Sequence, residues 1–150
     1  VSSLATAVCL MMSAREINEE IRNRRGVPQE DGEDYFAIQI GMATGEVLDL
    51  GGYNAFGDPV NTAFKLGEDV AQPWDLLLNI STTNGLPPAM MEPFELEKRH
   101  KDMSKVTIKY SAVNWKESAA VKVNVEEPLL AAKEKGGVLN RVDWKLIINK

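Results

Sequence analysis

Apolar residues recur at helical spacing along the first stretch of the chain. From Val1 to about Arg24, an apolar stripe lies opposite a charged side, as in the segment REINEEIRNRR. This pattern is typical of a helix with one face on a core. Gly26 and Pro28 are expected to end this helix, and the acidic stretch Glu30–Asp34 is predicted to be a solvated loop.

Alternating and continuous apolar runs predict the strands that follow. A strand is expected from Tyr35 to about Met42, and a tight turn at Thr44-Gly45 leads into the strand EVLDL, so that the two strands form a hairpin. The continuous apolar run DLLLNIS is typical of a strand buried in a sheet. A short helical stretch is predicted around PPAMMEPF, and KVTIKYSAV and AAVKVNV are predicted as later strands.

A second helix is predicted from Asp58 to about Ala71, with Asp58 as the N-cap and Pro59 in the first helical position. Phe56 and Phe64 are expected to anchor this helix to the sheet. The predicted buried side of the helix consists of Val60, Ala63, Phe64 and Val70. Together the elements predict an α+β fold with helices on one face of a largely antiparallel sheet.

Composition and charge narrow the classes of function. The 150 residues, 44% of them hydrophobic, suit one domain with a core, and the net charge of -5 argues against a nucleic-acid binder that relies on overall positive charge. Cys9 is the only cysteine, so an internal disulfide is excluded and a reducing, cytoplasmic setting is expected. His100 is the only histidine, which excludes a catalytic triad or a multi-histidine zinc site within one chain.

The N-terminal run VSSLATAVCLMMSA is apolar, but it lacks the charged start of a signal peptide. It is also shorter than the roughly 20 residues that a membrane span needs. No direct membrane contact is therefore predicted for this segment. The chain is expected to begin partway through a longer protein, which includes the case of the cytosolic part of a membrane-bound one.

Asn61 and Lys65 are the residues whose spacing points to chemistry. Residues four apart lie on one helical face, and the first turns of a helix favour anions. An amide and an ammonium in this position suit a polyphosphate, or the charge that develops in phosphoryl transfer. The alternative is that both side chains form an ordinary solvated helix surface.

The order of residues in IGMATGEV and YNAFGDPVNTAFKLGED resembles the class III nucleotide cyclase catalytic domain, the family of adenylyl and guanylyl cyclases. The matching elements are a strand ending in Gly41, the Thr44-Gly45 turn, an aromatic residue, Gly57-Asp58, Val60-Asn61, Ala63 and a basic residue at Lys65. On this resemblance, residues 1–113 are the C-terminal part of a cyclase domain. Residues 114–150 are a C-terminal extension of unknown role.

The resemblance implies a ferredoxin-like core and a head-to-tail dimer, either a homodimer or a pseudo-heterodimer with a second cyclase domain. It implies conversion of ATP or GTP to the cyclic nucleotide and pyrophosphate, with two Mg²⁺ or Mn²⁺ ions held by two aspartates. Asn61 matches the family's transition-state Asn, and Lys65 takes the place of the phosphate-binding Arg. Asn54 falls where adenylyl cyclases commonly have an Asp that reads the adenine amino group.

The chain departs from the family pattern in four ways. Lys65 lacks the planar two-pronged donor of Arg, Asn54 both donates and accepts, and the loop between Glu46 and Tyr53 is shorter than usual. The two metal-binding aspartates have no match in this chain, so no metal ligand is predicted and the isolated chain is expected to be inactive. Besides an active cyclase, two alternatives remain open: a degenerate cyclase-homology domain that regulates an active partner, and a ferredoxin-like binding domain.

Overall fold

The computed structural model describes residues 2–26, 34–51, 55–87, 94–103 and 106–116. The predicted strand AAVKVNV and Asn54 lie outside the described residues, as does the centre of the helical stretch predicted around PPAMMEPF.

Three α-helices, one π-helix and six strands make up the described part of the chain. The helices are α1 (Ser2–Arg25), α2 (Asp58–Phe64), the π-helix (Lys65–Val70) and α3 (Ile80–Asn84). The strands are β1 (Ile40–Met42), β2 (Leu48–Asp49), β3 (Ala55–Phe56), β4 (Leu76–Asn79), β5 (Glu97–Met103) and β6 (Val106–Ala112). The predictions of the first helix, of β4 and of β6 are thereby confirmed.

The main sheet has four strands in the order β1-β4-β6-β5. β1 pairs with β4 in parallel, with Gly41 opposite Leu77, whereas β4 with β6 and β5 with β6 are antiparallel. The predicted hairpin between β1 and the EVLDL strand is wrong, because β2 pairs instead with β3, with Leu48 opposite Phe56. Gly51 has a φ of 87° and donates its N–H to the Asp49 side chain at 2.8 Å. The chain begins its turn from β2 toward β3 at this glycine.

Helices cover both faces of the sheet, so the prediction of helices on one face is also wrong. Leu76 and Leu78 belong to a cluster with α1, while Leu77 between them packs with the π-helix. Successive strand residues point to opposite faces, which places the two clusters on opposite sides of β4. The α1 cluster contains Leu4, Ala7, Val8, Met11, Met12, Leu76, Leu78, Phe94, Val113 and Trp115. The molecule is therefore a mixed α+β fold with a mixed sheet between two helical layers.

A buried amide ties α1 to the chain that leads into β1. The Asn18 side chain is 1% exposed; it donates to the Phe36 carbonyl oxygen at 2.7 Å and accepts from the Phe36 N–H at 3.3 Å. These bonds satisfy a polar group that would otherwise be costly to bury. The strand predicted to begin at Tyr35 is restricted to Ile40–Met42. The residues before Ile40 bond instead to the Asn18 side chain and to the turn before β4.

Candidate functional site

Three glycines allow α2 and the π-helix that follows it to pack closely against the preceding part of the chain. Gly41 of β1 faces the Ala63 carbonyl, Gly45 faces the Pro59 ring, and Gly57 lies beside the Glu46 carbonyl; a Cβ on any of the three would stand 2.3–3.0 Å from these groups. Gly57 has a φ of 144° and is the N-cap residue, so the prediction of Asp58 as the N-cap is wrong by one position. The Asp58 side chain makes no capping bond. Gly45 and Gly57 thus pack at the start of α2, and Gly41 packs at its end.

Asn61 and Lys65 are both exposed on this helix. The Lys65 N–H points at the carbonyl oxygens of Asn61 and Thr62, and the Asn61 N–H donates to the Gly57 carbonyl at 3.2 Å. The backbone N–H groups of both residues therefore donate within the helix, so only the two side chains can bind a ligand. Among the described residues, neither side chain has a hydrogen-bond or ion-pair partner.

The helix changes its winding at Lys65. Ala71 donates to the Leu66 carbonyl at 2.8 Å, a bond five residues back, and residues 65–70 are a π-helix. Leu66 and Val70 are buried against the sheet. The predicted extent of the helix is confirmed, and its second half is wound differently. Short π segments occur often at functional sites.

Phe64 is 62% exposed and Phe56 is 55% exposed, so the prediction that they anchor the helix to the sheet is wrong. Val70 is buried as predicted, and Leu66 is the other core residue of the π-helix; both belong to the cluster with Leu77 and Ile108. Phe64 stands three residues after Asn61 and one before Lys65. The exposed face of α2 thus offers an amide, a phenyl ring and an ammonium side by side.

A shallow groove of about 270 Å³ begins at Lys65 and runs toward the ends of β4 and β6. Its lining residues, none of them acidic, are Thr62, Lys65, Asn79, Ile80, Thr107, Ile108 and Lys109. Ile108 and Tyr110 face the π-helix, so strand alternation directs the Lys109 side chain to the other face of the sheet. Lys65 is the cation that the helix contributes to this groove.

A second cavity, of about 290 Å³, lies at the opposite end of β4, beside Trp74 and Trp115. Its polar groups already have partners: Arg99 donates to Glu97, the Asn114 amide donates to Glu95, and the Asp75 carboxylate accepts from the Gln72 N–H. The Trp115 indole N–H donates to the Trp74 carbonyl at 2.9 Å. This cavity belongs to the packing of the two tryptophans, whose ring centroids lie 6.2 Å apart.

Within the described residues, no group of three or more His, Cys, Asp or Glu side chains is arranged to hold a metal ion. The residues present therefore do not fit the two metal ions that the resemblance implies. None of the described helices combines the length and the apolar character that crossing a membrane requires.

Comparison of the chain with protein-family models, with curated proteins and with solved structures found no match. The site consequently rests on the geometry of Asn61, Phe64 and Lys65. Phe64 was missed as a site residue, although its spacing of three from Asn61 was a signal for a shared face.

Proposed function

We propose that this chain is the C-terminal part of a class III nucleotide cyclase domain, with a ferredoxin-like core, that forms a cyclic nucleotide and pyrophosphate from ATP or GTP. One observation carries the proposal: Asn61 and Lys65 project their side chains from adjacent turns of one exposed helical face. The groove that begins at Lys65 has no acidic lining residue in a chain of net charge -5. A triphosphate in this groove would lie near the Lys65 ammonium, and no carboxylate among the lining residues would repel it.

The roles of the two residues follow from their chemistry. The Lys65 ammonium would bind phosphate oxygens as a point charge and oppose the negative charge that grows in the transition state. The Asn61 amide would donate to the nucleotide and hold the ribose in line for attack on the α-phosphate. In such cyclases Mg²⁺ or Mn²⁺ activates the attacking 3′-hydroxyl. We assign no step through these ions to the residues of this chain.

A partner subunit is part of the proposal, because Asn61 and Lys65 supply only the donors of the site. Val47, Leu48, Leu50 and Phe56 of the β2–β3 ribbon expose half or more of their surface. Grouped exposed apolar side chains mark interaction surfaces. We assign this ribbon to contact with a second cyclase domain, which would contribute the metal ligands. The proposed setting is cytoplasmic, where ATP and GTP are available.

The test uses the protein extended upstream of Val1. Cyclic AMP and cyclic GMP formed from ATP and GTP with Mn²⁺ are measured for the native protein and for Asn61→Ala, Lys65→Ala and Lys65→Arg. Loss of one transition-state donor should lower turnover by about 10²- to 10³-fold, and Lys65→Arg should retain activity. Lys98→Ala, an exposed lysine on β5, is the matched control. Activity that survives both alanine changes would refute the proposal.

A second candidate is a cyclase-homology domain that binds nucleotide and regulates an active partner. Lys in place of Arg at position 65 favours it. A folded dimer that binds ATP in a Lys65-dependent way and yet makes neither product would support this candidate over the enzyme. Nucleotide affinity that is unchanged by Lys65→Ala would leave the third interpretation, a binding domain with exposed Asn61 and Lys65.

A further inference from the structure

Phe64 lies on the exposed face that carries Asn61 and Lys65, and it belongs to neither buried cluster of the described residues. At 62% exposure its ring contributes little to the core, although burial of an apolar ring would stabilise the fold. The helix reaches its core contacts through Leu66 and Val70. A large apolar ring is thus kept at the surface beside the two polar residues of the candidate site.

The position of Phe64 relative to Asn61 and Lys65 suits a ligand with both a flat and a charged part. Asn61 and Phe64 are separated by three residues, and Asn61 and Lys65 by four, so their Cβ atoms lie about 5–6 Å apart in each pair. The ring and the ammonium therefore lie one turn beyond the amide, to its two sides around the helix axis. A nucleotide has the same order of parts, with a base, a ribose and a phosphate chain.

We propose that Phe64 is the stacking platform for the base of the nucleotide whose phosphates Lys65 binds. This inference rests on the proposed nucleotide-binding function. Stacking on a phenyl ring accepts any base because every base has a π-face. Phe64 would therefore strengthen the binding of ATP and GTP alike, and selection between them would fall to other residues.

The experiment compares two ligands that differ in the base. Binding of ATP and of inorganic tripolyphosphate is measured by calorimetry for the native protein, Phe64→Ala, Phe64→Trp, Lys65→Ala and the control Leu10→Ala, which removes a comparably exposed apolar side chain from α1. Phe64→Ala should weaken ATP binding about five- to hundredfold, since base–aromatic stacking contributes about 1–3 kcal/mol. It should leave tripolyphosphate binding unchanged, whereas Phe64→Trp should preserve ATP affinity.

The arms of this experiment separate two failures. Lys65→Ala should weaken both ligands; if it weakens neither, the proposed nucleotide site itself fails. If Lys65→Ala has its expected effect while Phe64→Ala leaves ATP binding unchanged, or weakens both ligands equally, the stacking role alone is overturned. Sedimentation of each variant tests whether Phe64 instead contacts a second copy of the protein. If Phe64→Ala loses self-association while its ATP affinity is unchanged, the ring belongs to a protein interface and the inference is overturned.

Discussion

Gly41 of β1 and Gly67 of the π-helix pack backbone against backbone. A Cβ added to Gly41 would lie 2.6 Å from the Gly67 nitrogen and 2.3 Å from the Ala63 carbonyl oxygen. A Cβ added to Gly67 would lie 3.4 Å from the Gly41 nitrogen, which is an ordinary contact distance. This contact sets how closely the helix that carries Asn61 and Lys65 approaches the sheet, and only one of the two glycines is sterically required.

We expect Gly41→Ala to destabilise the fold by about 1–3 kcal/mol, because the new methyl group would meet backbone atoms that cannot rotate away. Gly67→Ala should change the free energy of unfolding by less than about 1 kcal/mol, on the stabilising side, since alanine loses less entropy than glycine in a helix. Urea denaturation of both variants measures the difference. Equal effects of the two substitutions would contradict the steric account of this contact.

A buried hydroxyl pair joins α3 to β6. The Thr83 hydroxyl lies 3.1 Å from the Ser111 hydroxyl and 3.2 Å from the Asn79 carbonyl oxygen, and both side chains are fully buried. Thr83→Val would leave the Ser111 hydroxyl without a partner among the described groups, at a cost of about 1–3 kcal/mol. Ser111→Ala should cost less, because Thr83 can still donate to Asn79.

The double variant Thr83→Val/Ser111→Ala tests the coupling of these hydroxyls. It should be destabilised by less than the sum of the single effects, with an interaction energy of at least about 0.5 kcal/mol. Chemical denaturation of the four proteins supplies all the values needed. Strict additivity would show that the two hydroxyls do not stabilise each other.

Leu48 and Phe56 stand directly opposite each other on the β2–β3 ribbon, at 61% and 55% exposure. If the ribbon contacts a second cyclase domain as proposed, Leu48→Ser and Phe56→Ser should each weaken self-association of the upstream-extended protein about tenfold or more. Analytical ultracentrifugation measures the shift from dimer to monomer. Leu10→Ser on α1, at 55% exposure, is the matched control and should leave the dimer intact. A dimer that is insensitive to the ribbon changes but lost with Leu10→Ser would move the interface to α1.

Glu97 accepts a hydrogen bond from Arg99 at 2.5 Å on β5, and this bond, together with the guanidinium charge, lowers the pKa of the Glu97 carboxyl. Because the pKa is lower in the folded state, the stabilisation is present above the ordinary glutamate pKa of about 4.3 and is lost as the pH falls through the folded value. The pair is open to solvent, so the effect is small.

Glu97→Gln should therefore make the loss of stability in acid shallower while changing little at neutral pH. Thermal unfolding followed from neutral pH to below the ordinary glutamate pKa measures this difference. Arg99→Gln removes the cation and should likewise make the loss of stability in acid shallower. An unchanged pH profile in both variants would show that the ion pair does not contribute in solution.

Local sequence patterns predicted the helices and strands that are specified by residues close together in the chain. The apolar stripe of α1, the continuous run of β4 and the alternation of β6 were each sufficient to predict the element, because side-chain periodicity reflects local dihedral angles. Asp58 and Pro59 likewise predicted where α2 begins, to within one residue. The spacing of Asn61 and Lys65 is a local property of the helix, and the structure retains it.

The predictions that failed depended on contacts between distant segments. β1 pairs with β4 instead of forming a hairpin with β2, because Ile40 and Met42 join the α1 cluster while Gly41 admits the π-helix on the other face. Phe64 looked like a core residue from its apolar side chain alone. Phe64 lies two residues before the buried Leu66, and residues two apart on a helix do not share a face.

The sequence by itself thus determined α1, the helical segment that begins at α2, β4 and β6, together with the spacing that places an amide and a cation on one helical face, since these depend on neighbours in the chain. It did not predict β3 or β5. The tertiary structure decided which strands pair, which faces the helices cover and that the ring of Phe64 is exposed. Those outcomes depend on close packing between parts of the chain far apart in sequence, and no local periodicity specifies them.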